Sequence, residues 1–146
     1  MSISNTFETE LLQHILQNAD IANIGDATGL RGSTAAGSLY VSLHTADPGE
    51  AGNQSTSEAT YTGYARVAVA RSAGGWSVAA NVGSNASAVG FPAATGGSNT
   101  LTHFGIGTSA SGAGKLLLSG ALTSSLAVSA GITPSFASGQ LTVNAD

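Results

Sequence analysis

Hydrophobic positions in this chain change their period once. Over the first seventeen residues they recur as on a helix, with Phe7, Leu11 and Ile15 at i, i+4 and i+8, and Leu12 and Leu16 widening the stripe. Asn5 or Ser4 stands where an N-cap is needed, and Glu8 follows Asn5 by three residues, as in a capping box. Glu8 and Glu10 put negative charge in the first turns, where the helix dipole favours it. A helix of about three turns does not persist alone in water. The stripe therefore predicts docking, on the chain's own sheet or on a neighbouring subunit.

Between Asn18 and Gly37 the period dissolves. Ile21 and Ile24 are apolar anchors in a stretch punctuated by Gly25, Gly29, Gly32 and Gly37. An extended loop or arm is expected there, with Asp26 and Arg31 in turns; a segment of this length with little regular structure is often functional or ordered by a partner.

From Ser38 onward the period is two. Leu39, Val41 and Leu43 alternate with Tyr40, Ser42 and His44, and Ala65, Val67 and Val69 alternate with Tyr64, Arg66, Ala68 and Ala70. That is the pattern of half-buried strands, whose successive side chains leave opposite faces of the pleat. Asp47-Pro48-Gly49 supplies a turn between them: proline presets φ, glycine accepts positive φ, and the Asp carboxylate can take a local backbone hydrogen bond. Further runs follow at Trp76–Ala80, Val89–Phe91, Thr102–Thr108, Leu116–Leu122, Leu126–Val128 and Leu141–Val143. Eight short strands with frequent turn signals predict an all-β fold, an antiparallel β-sandwich of jelly-roll type with one N-terminal amphipathic helix. At 146 residues the expectation is one domain, with residues 1–37 forming the helix and arm and residues 38–146 the sandwich.

Composition shifts the emphasis from chemistry to assembly. Only 8% of residues are charged, against roughly 25% in an average globular protein, and from Ser72 to Ala145 the sole charged side chain is Lys115. Depletion of Lys, Glu and Asp marks interface cores, and a charge-poor half lacks the residues that discourage strand edges from associating. A net charge of −4 argues against a nucleic-acid partner. No run approaches the ~18 apolar residues of a membrane span, and no basic-then-apolar start suggests a signal peptide, so neither membrane insertion nor secretion is expected. The chain has no cysteine and hence no disulfide or thiolate metal site.

Catalytic and ligand-binding motifs are fragmentary. Gly112-Ala113-Gly114-Lys115 has the glycines of a phosphate loop, but Ser109 stands where its first glycine is required and Leu116 where Ser or Thr is required. His14, His44 and His103 lie too far apart for metal-ligand spacing. Serine is abundant, but no G-x-S-x-G elbow occurs, and a triad is defined by geometry. Asp47, Glu50 and Glu58 do not follow EF-hand spacing. Trp76 and the tyrosines could offer a carbohydrate platform, although Trp76 sits in a strand pattern that predicts core. The expectation is a non-enzyme with no catalytic residues, no cofactor and no metal.

Three segments carry a resemblance: Leu39 to Glu50 (LYVSLHTADPGE), Tyr61 to Val69 (YTGYARVAV) and Thr102 to Gly107 (THFGIG), with the Ser111–Lys115 turn and Gly131–Pro134. Together they resemble a group of small tailed-bacteriophage virion proteins, labelled tail-fibre-like, with relatives that serve as capsid cement or decoration proteins. The resemblance implies a jelly-roll subunit, made in the host cytoplasm, that binds the outer capsid surface, bridges major capsid proteins and stabilises their lattice. Its expected partners are the major capsid protein and itself, as a dimer or trimer. The alternative is a tail or tail-fibre component contacting the host receptor. For either, the candidate interface comprises Phe7, Leu11 and Ile15 on the helix, Ile21, Ile24 and Arg31 in the arm, and Asp47 and Glu50 in the polar loop.

Overall fold

The computed structural model describes residues 2–145. It contains one helix, α1 (Asn5–Gln17), and nine strands: β1 (Ser38–His44), β2 (Val67–Ala70), β3 (Trp76–Ala79), β4 (Val82–Asn85), β5 (Val89–Gly90), β6 (Ser98–Gly107), β7 (Leu116–Ser129), β8 (Ser135–Phe136) and β9 (Thr142–Asn144). The strands form sheets ordered β2-β1-β6-β7, β3-β4-β9 and β5-β8. The all-β class with a single N-terminal helix is as the periodicity predicts. No helix among the described residues is long and apolar enough to cross a membrane.

The described chain gathers into two compact units. One takes residues up to Ser38, Ala70–Ala88 and residues from Phe136 on; the other takes Leu39–Val69 and Val89–Ser135.

In the first unit α1 packs on the β3-β4-β9 sheet. Ser4 is the N-cap: its Oγ accepts from Phe7 N at 3.4 Å while its carbonyl accepts from Glu8 N at 2.9 Å. Asn18 closes the helix in the left-handed region at φ 61°. The Arg71 guanidinium then caps the exposed carbonyls, donating to Ile15 O at 2.7 Å and to His14 O, and reaching Asn18 Oδ1 at 2.6 Å. A cation here also complements the dipole's negative end.

The buried stripe is narrower than predicted. Leu12 and Leu16 are sealed, whereas Phe7, Leu11 and Ile15 stay half-buried, because the sheet approaches along the Leu12/Leu16 line. Gly83 permits that approach, since a Cβ there would collide with Leu16 Cδ1. The β3–β4 hairpin turns at Ala80 (φ 53°), one residue earlier than the apolar pattern implies. Periodicity missed β4 because its inward positions are Gly83 and Asn85 rather than hydrophobes. Asn85 is 1% exposed and fully engaged, donating to Ser87 O and Ala137 O and accepting from Leu141 N. It thereby ties the C-terminal stretch to the sheet.

Residues 18–37, expected as an extended loop or arm, fold back on themselves. Ile21 and Leu30 exchange two backbone hydrogen bonds of 2.8 Å, Asp20 Oδ1 accepts from Gly32 N, and Asn18 and Ser33 bond reciprocally. Asp26 makes the predicted turn, accepting from Thr28 N and Gly29 N; the Thr28 hydroxyl and these donors hold its carboxyl below the usual carboxylate range.

In the second unit β1 and β6 form the centre of the four-stranded sheet, with Val41 opposite Ile106 and Leu43 opposite Phe104. One face of this pair is apolar core; Val41, Leu43, Phe104 and Ile106 are all at most 5% exposed. The two apolar runs 116–122 and 126–128 are a single strand, β7, interrupted by a bulge where Leu122–Ser125 stand opposite Thr102 alone.

Candidate interaction surface

The polar face of β1 is the main departure from the alternating pattern. Ser42 and His44 are both completely buried, not solvent-facing as a half-buried strand requires. They lie under the loop that follows β1, and β6 makes room for them. Gly105 is opposite Ser42, and a Cβ there would stand 2.7 Å from both Ser42 Oγ and His44 Nε2. The glycine alternation of THFGIG is thus a recess for buried polar side chains.

The hydrogen bonds in the recess assign the tautomer. His44 Nδ1 lies 2.8 Å from Thr56 O, and a carbonyl only accepts, so Nδ1 carries the proton. Nε2 then accepts from the Ser42 hydroxyl at 2.8 Å. Serine, histidine and a carbonyl acceptor form a relay-like row, but with no exposed surface it has no access to substrate. Its effect is to pin Thr56 over the sheet.

Beside it, Gln54 is equally buried. Its backbone N–H donates to Ala113 O at 2.9 Å, and its Oε1 accepts from Ser109 N at 2.9 Å. Gly107 and Gly114 leave the space its side chain occupies. Nothing in the alternation of this polar loop distinguishes Gln54 from its neighbours, so sequence reasoning missed it.

An ion pair completes the lock. Arg66 Nε and Nη2 meet Glu58 Oε1 and Oε2 at 2.6 and 2.7 Å, a bidentate arrangement with side-chain exposures of 2% and 18%. The remaining guanidinium donors reach Ser109 O at 2.9 Å and Gly112 O at 2.7 Å. Burial pushes the Tyr64 hydroxyl well above its ordinary pKa; it donates to Glu58 and accepts from Leu43 N. Glu58, weighed above as a calcium ligand, is therefore committed to Arg66. The Gly112–Lys115 turn presents carbonyl oxygens to Arg66 and Gln54, the reverse of the N–H cradle that phosphate requires.

Two loops, residues 45–63 and 108–115, are thus fastened to one sheet. Asn99 Oδ1 holds the first loop again by accepting from Thr60 N and Tyr61 N. At its tip Asp47 accepts from Gly49 N at 2.9 Å, and Gly49 has φ 69°, the turn expected from the sequence. Asp47 and Glu50 are exposed there. In the first unit, Ile24 is exposed and Arg31 forms an open ion pair with Asp20 at 3.1 Å. Ile21, by contrast, is 1% exposed and belongs to the core, because its pairing with Leu30 turns it inward. Leu30 itself is 45% exposed, an apolar surface position that no periodicity marked. Trp76 is fully buried and Tyr61 is 2% exposed, so neither offers a ring face to a sugar.

Residues 2–144 match the family described as Podophage GP4 fiber I protein gp80. The chain belongs to that family. It is accordingly a member of a phage structural protein family, as the three resembling segments imply, and those segments are the ones that meet in the polar lock. The family is one of fibre proteins, so the match supports a fibre-like virion protein rather than the specifically capsid-bound cement expected above. No curated protein matches the chain.

The lock makes stability depend on pH. Burial lowers the pKa of His44 from 6.5, outweighing the Thr56 hydrogen bond and Glu58, which raise it; Arg66 and His103 lower it further. Neutral His44 is therefore favoured in the folded state, and the unfolded chain binds more protons below pH 6.5. Its contribution is complete above that value and is lost as pH falls through the depressed folded pKa. Urea midpoints measured from pH 8 to 5 should fall more steeply in the wild type than in His44→Gln. Equal slopes would remove His44 as the titrating group.

Proposed function

We propose that this chain is a structural, non-enzymatic component of a podophage tail fibre, displayed on the virion and held there by protein–protein contacts. The observation that carries the reading is the family match, which spans nearly the entire chain. The lock supports it: buried Ser42, His44 and Gln54 are used to fasten exposed loops, an investment in shape rather than in turnover. The scarcity of charge beyond Arg71 supports incorporation into a larger assembly. Each unit offers its own contact positions: the Asp47–Glu50 tip in one, and Ile24, Leu30, Arg31 and the half-buried Phe7, Leu11 and Ile15 in the other.

Immunogold labelling of intact virions tests this, with particles lacking the protein examined in parallel. Label should fall on fibres, and deficient particles should keep heads of unchanged heat resistance while losing adsorption to the host. Label confined to heads, with heat-sensitive deficient particles, would overturn the fibre assignment and restore capsid cement.

A further inference from the structure

We propose that His44 and His103 form an acid-sensitive latch that frees the 45–63 loop while the sheet beneath it stays folded. The two histidines are far apart in sequence but directly opposite each other on β1 and β6, so their side chains leave the same face of the sheet. His44 is completely buried on that face and His103 is half-buried. Directly opposed residues are the closest side-chain neighbours in an antiparallel pair, and like charges placed there repel. Neutral rings are compatible with this pairing; two imidazolium rings are not. The surrounding groups give little relief. Glu58 favours a charge on His44, but both its oxygens are taken by Arg66, and Tyr64 donates to one of them. Arg66 and His103 oppose the charge, and burial opposes it most. The strands β2, β6 and β7 carry no Asp, Glu, Lys or Arg.

Protonation also upsets the pairing of donors and acceptors in the recess. His44 Nε2 accepts from Ser42, whose side chain makes no other hydrogen bond among the described residues. Once Nε2 carries a proton, Ser42 must accept in turn, and its own hydrogen is stranded in a completely buried site. The penalty falls on the loop and not on the sheet. What His44 holds is Thr56 O in the loop, while Val41, Leu43, Phe104 and Ile106 pack on the opposite face of the strands. Opening the loop returns His44 to water, where its charge costs little, and a local opening of this kind leaves the core intact. The loop carries the exposed Asp47–Glu50 tip, so the latch lets acidity decide whether that tip keeps one shape.

Amide hydrogen exchange of the full chain, read by NMR at pH 8 and pH 5 and corrected for the intrinsic pH dependence of exchange, tests the latch. The amides of Thr45, Gln54 and Ala59 donate to Ser57 O, Ala113 O and Leu43 O. On acidification they should lose protection by about tenfold or more, whereas the β6 amides should keep theirs. His44→Gln, whose amide can donate to Thr56 O and accept from Ser42 without taking up a proton, should abolish the loss. His103→Gln, at a half-buried position, removes one of the two opposed charges and should shrink the loss, which keeps the test decisive if His44→Gln fails to fold. Protection indifferent to acid, loss spread evenly over loop and sheet, a persistent loss in folded His44→Gln, or an undiminished one in His103→Gln would each overturn the proposal.

Discussion

Arg66→Ala is expected to destabilise the protein by about 3–5 kcal/mol, the usual result of removing one partner from a buried ion pair. Glu58 would keep its charge at 18% exposure with only the Tyr64 hydroxyl left to it, and Ser109 O and Gly112 O would lose their donors. The cost arises from those stranded groups more than from the pair itself. Arg66→Met with Glu58→Gln should therefore be milder than Arg66→Ala alone. Arg66→Lys should sit between Arg66→Ala and wild type, since an ammonium cannot reproduce the two-pronged contact with Glu58 while reaching both carbonyls. Urea unfolding at pH 7 measures all three. A loss below about 1 kcal/mol for Arg66→Ala would class the pair with ordinary surface bridges and remove its role as a clamp.

Leu16→Ala is expected to cost about 2–5 kcal/mol, because Leu16 is completely buried between α1 and the β3-β4-β9 sheet. Its contact with Gly83 permits a sharper test. A Cβ at position 83 would strike Leu16 Cδ1 and crowd Val143 Cγ2 at 3.3 Å, so Gly83→Ala alone should be destabilising. In the Leu16→Ala background the colliding methyl is gone, and the methyl added at position 83 occupies part of the cavity. The same substitution should then be neutral or stabilising, with a coupling energy of about 0.5–3 kcal/mol. Additive effects would show that helix and sheet do not meet in this register.

Local signals suffice wherever one residue's own conformational preference decides the outcome. The helix start, narrowed by sequence to Asn5 or Ser4 and settled on Ser4 by the structure, the Asp47-Pro48-Gly49 turn and the β1 and β3 positions were close to the local reading, as was the interior place of Trp76. Departures arise where burial depends on a distant segment. Alternation placed Ser42 and His44 in solvent, yet the loop carrying Gln54 and Thr56 closes over them. β4 was invisible because its inward positions are a glycine and an asparagine, whose fit requires Leu16 and the stretch from Ala137 to Leu141.

The interface residues divide in the same way. Asp47 and Glu50 are exposed because a turn tip offers nothing to bury them. Ile21 had the same apolar signal as Ile24, but only Ile21 turns inward, through its bond to Leu30 nine residues away in sequence. No window of local pattern contains that pairing.

By itself, then, the sequence determined the all-β class, the capped N-terminal helix, the charge-poor second half and membership suggested by three motifs. Each rests on period, turn chemistry or composition, which act over a few residues or over none in particular. Only the tertiary structure decided what the motifs are for. Glycines 105 and 107 on one strand, a Ser/His pair on its neighbour and an Arg/Glu pair in the following segment have meaning only when superposed. A missing Cβ is a signal of the space another side chain fills, and that side chain is identified by folding.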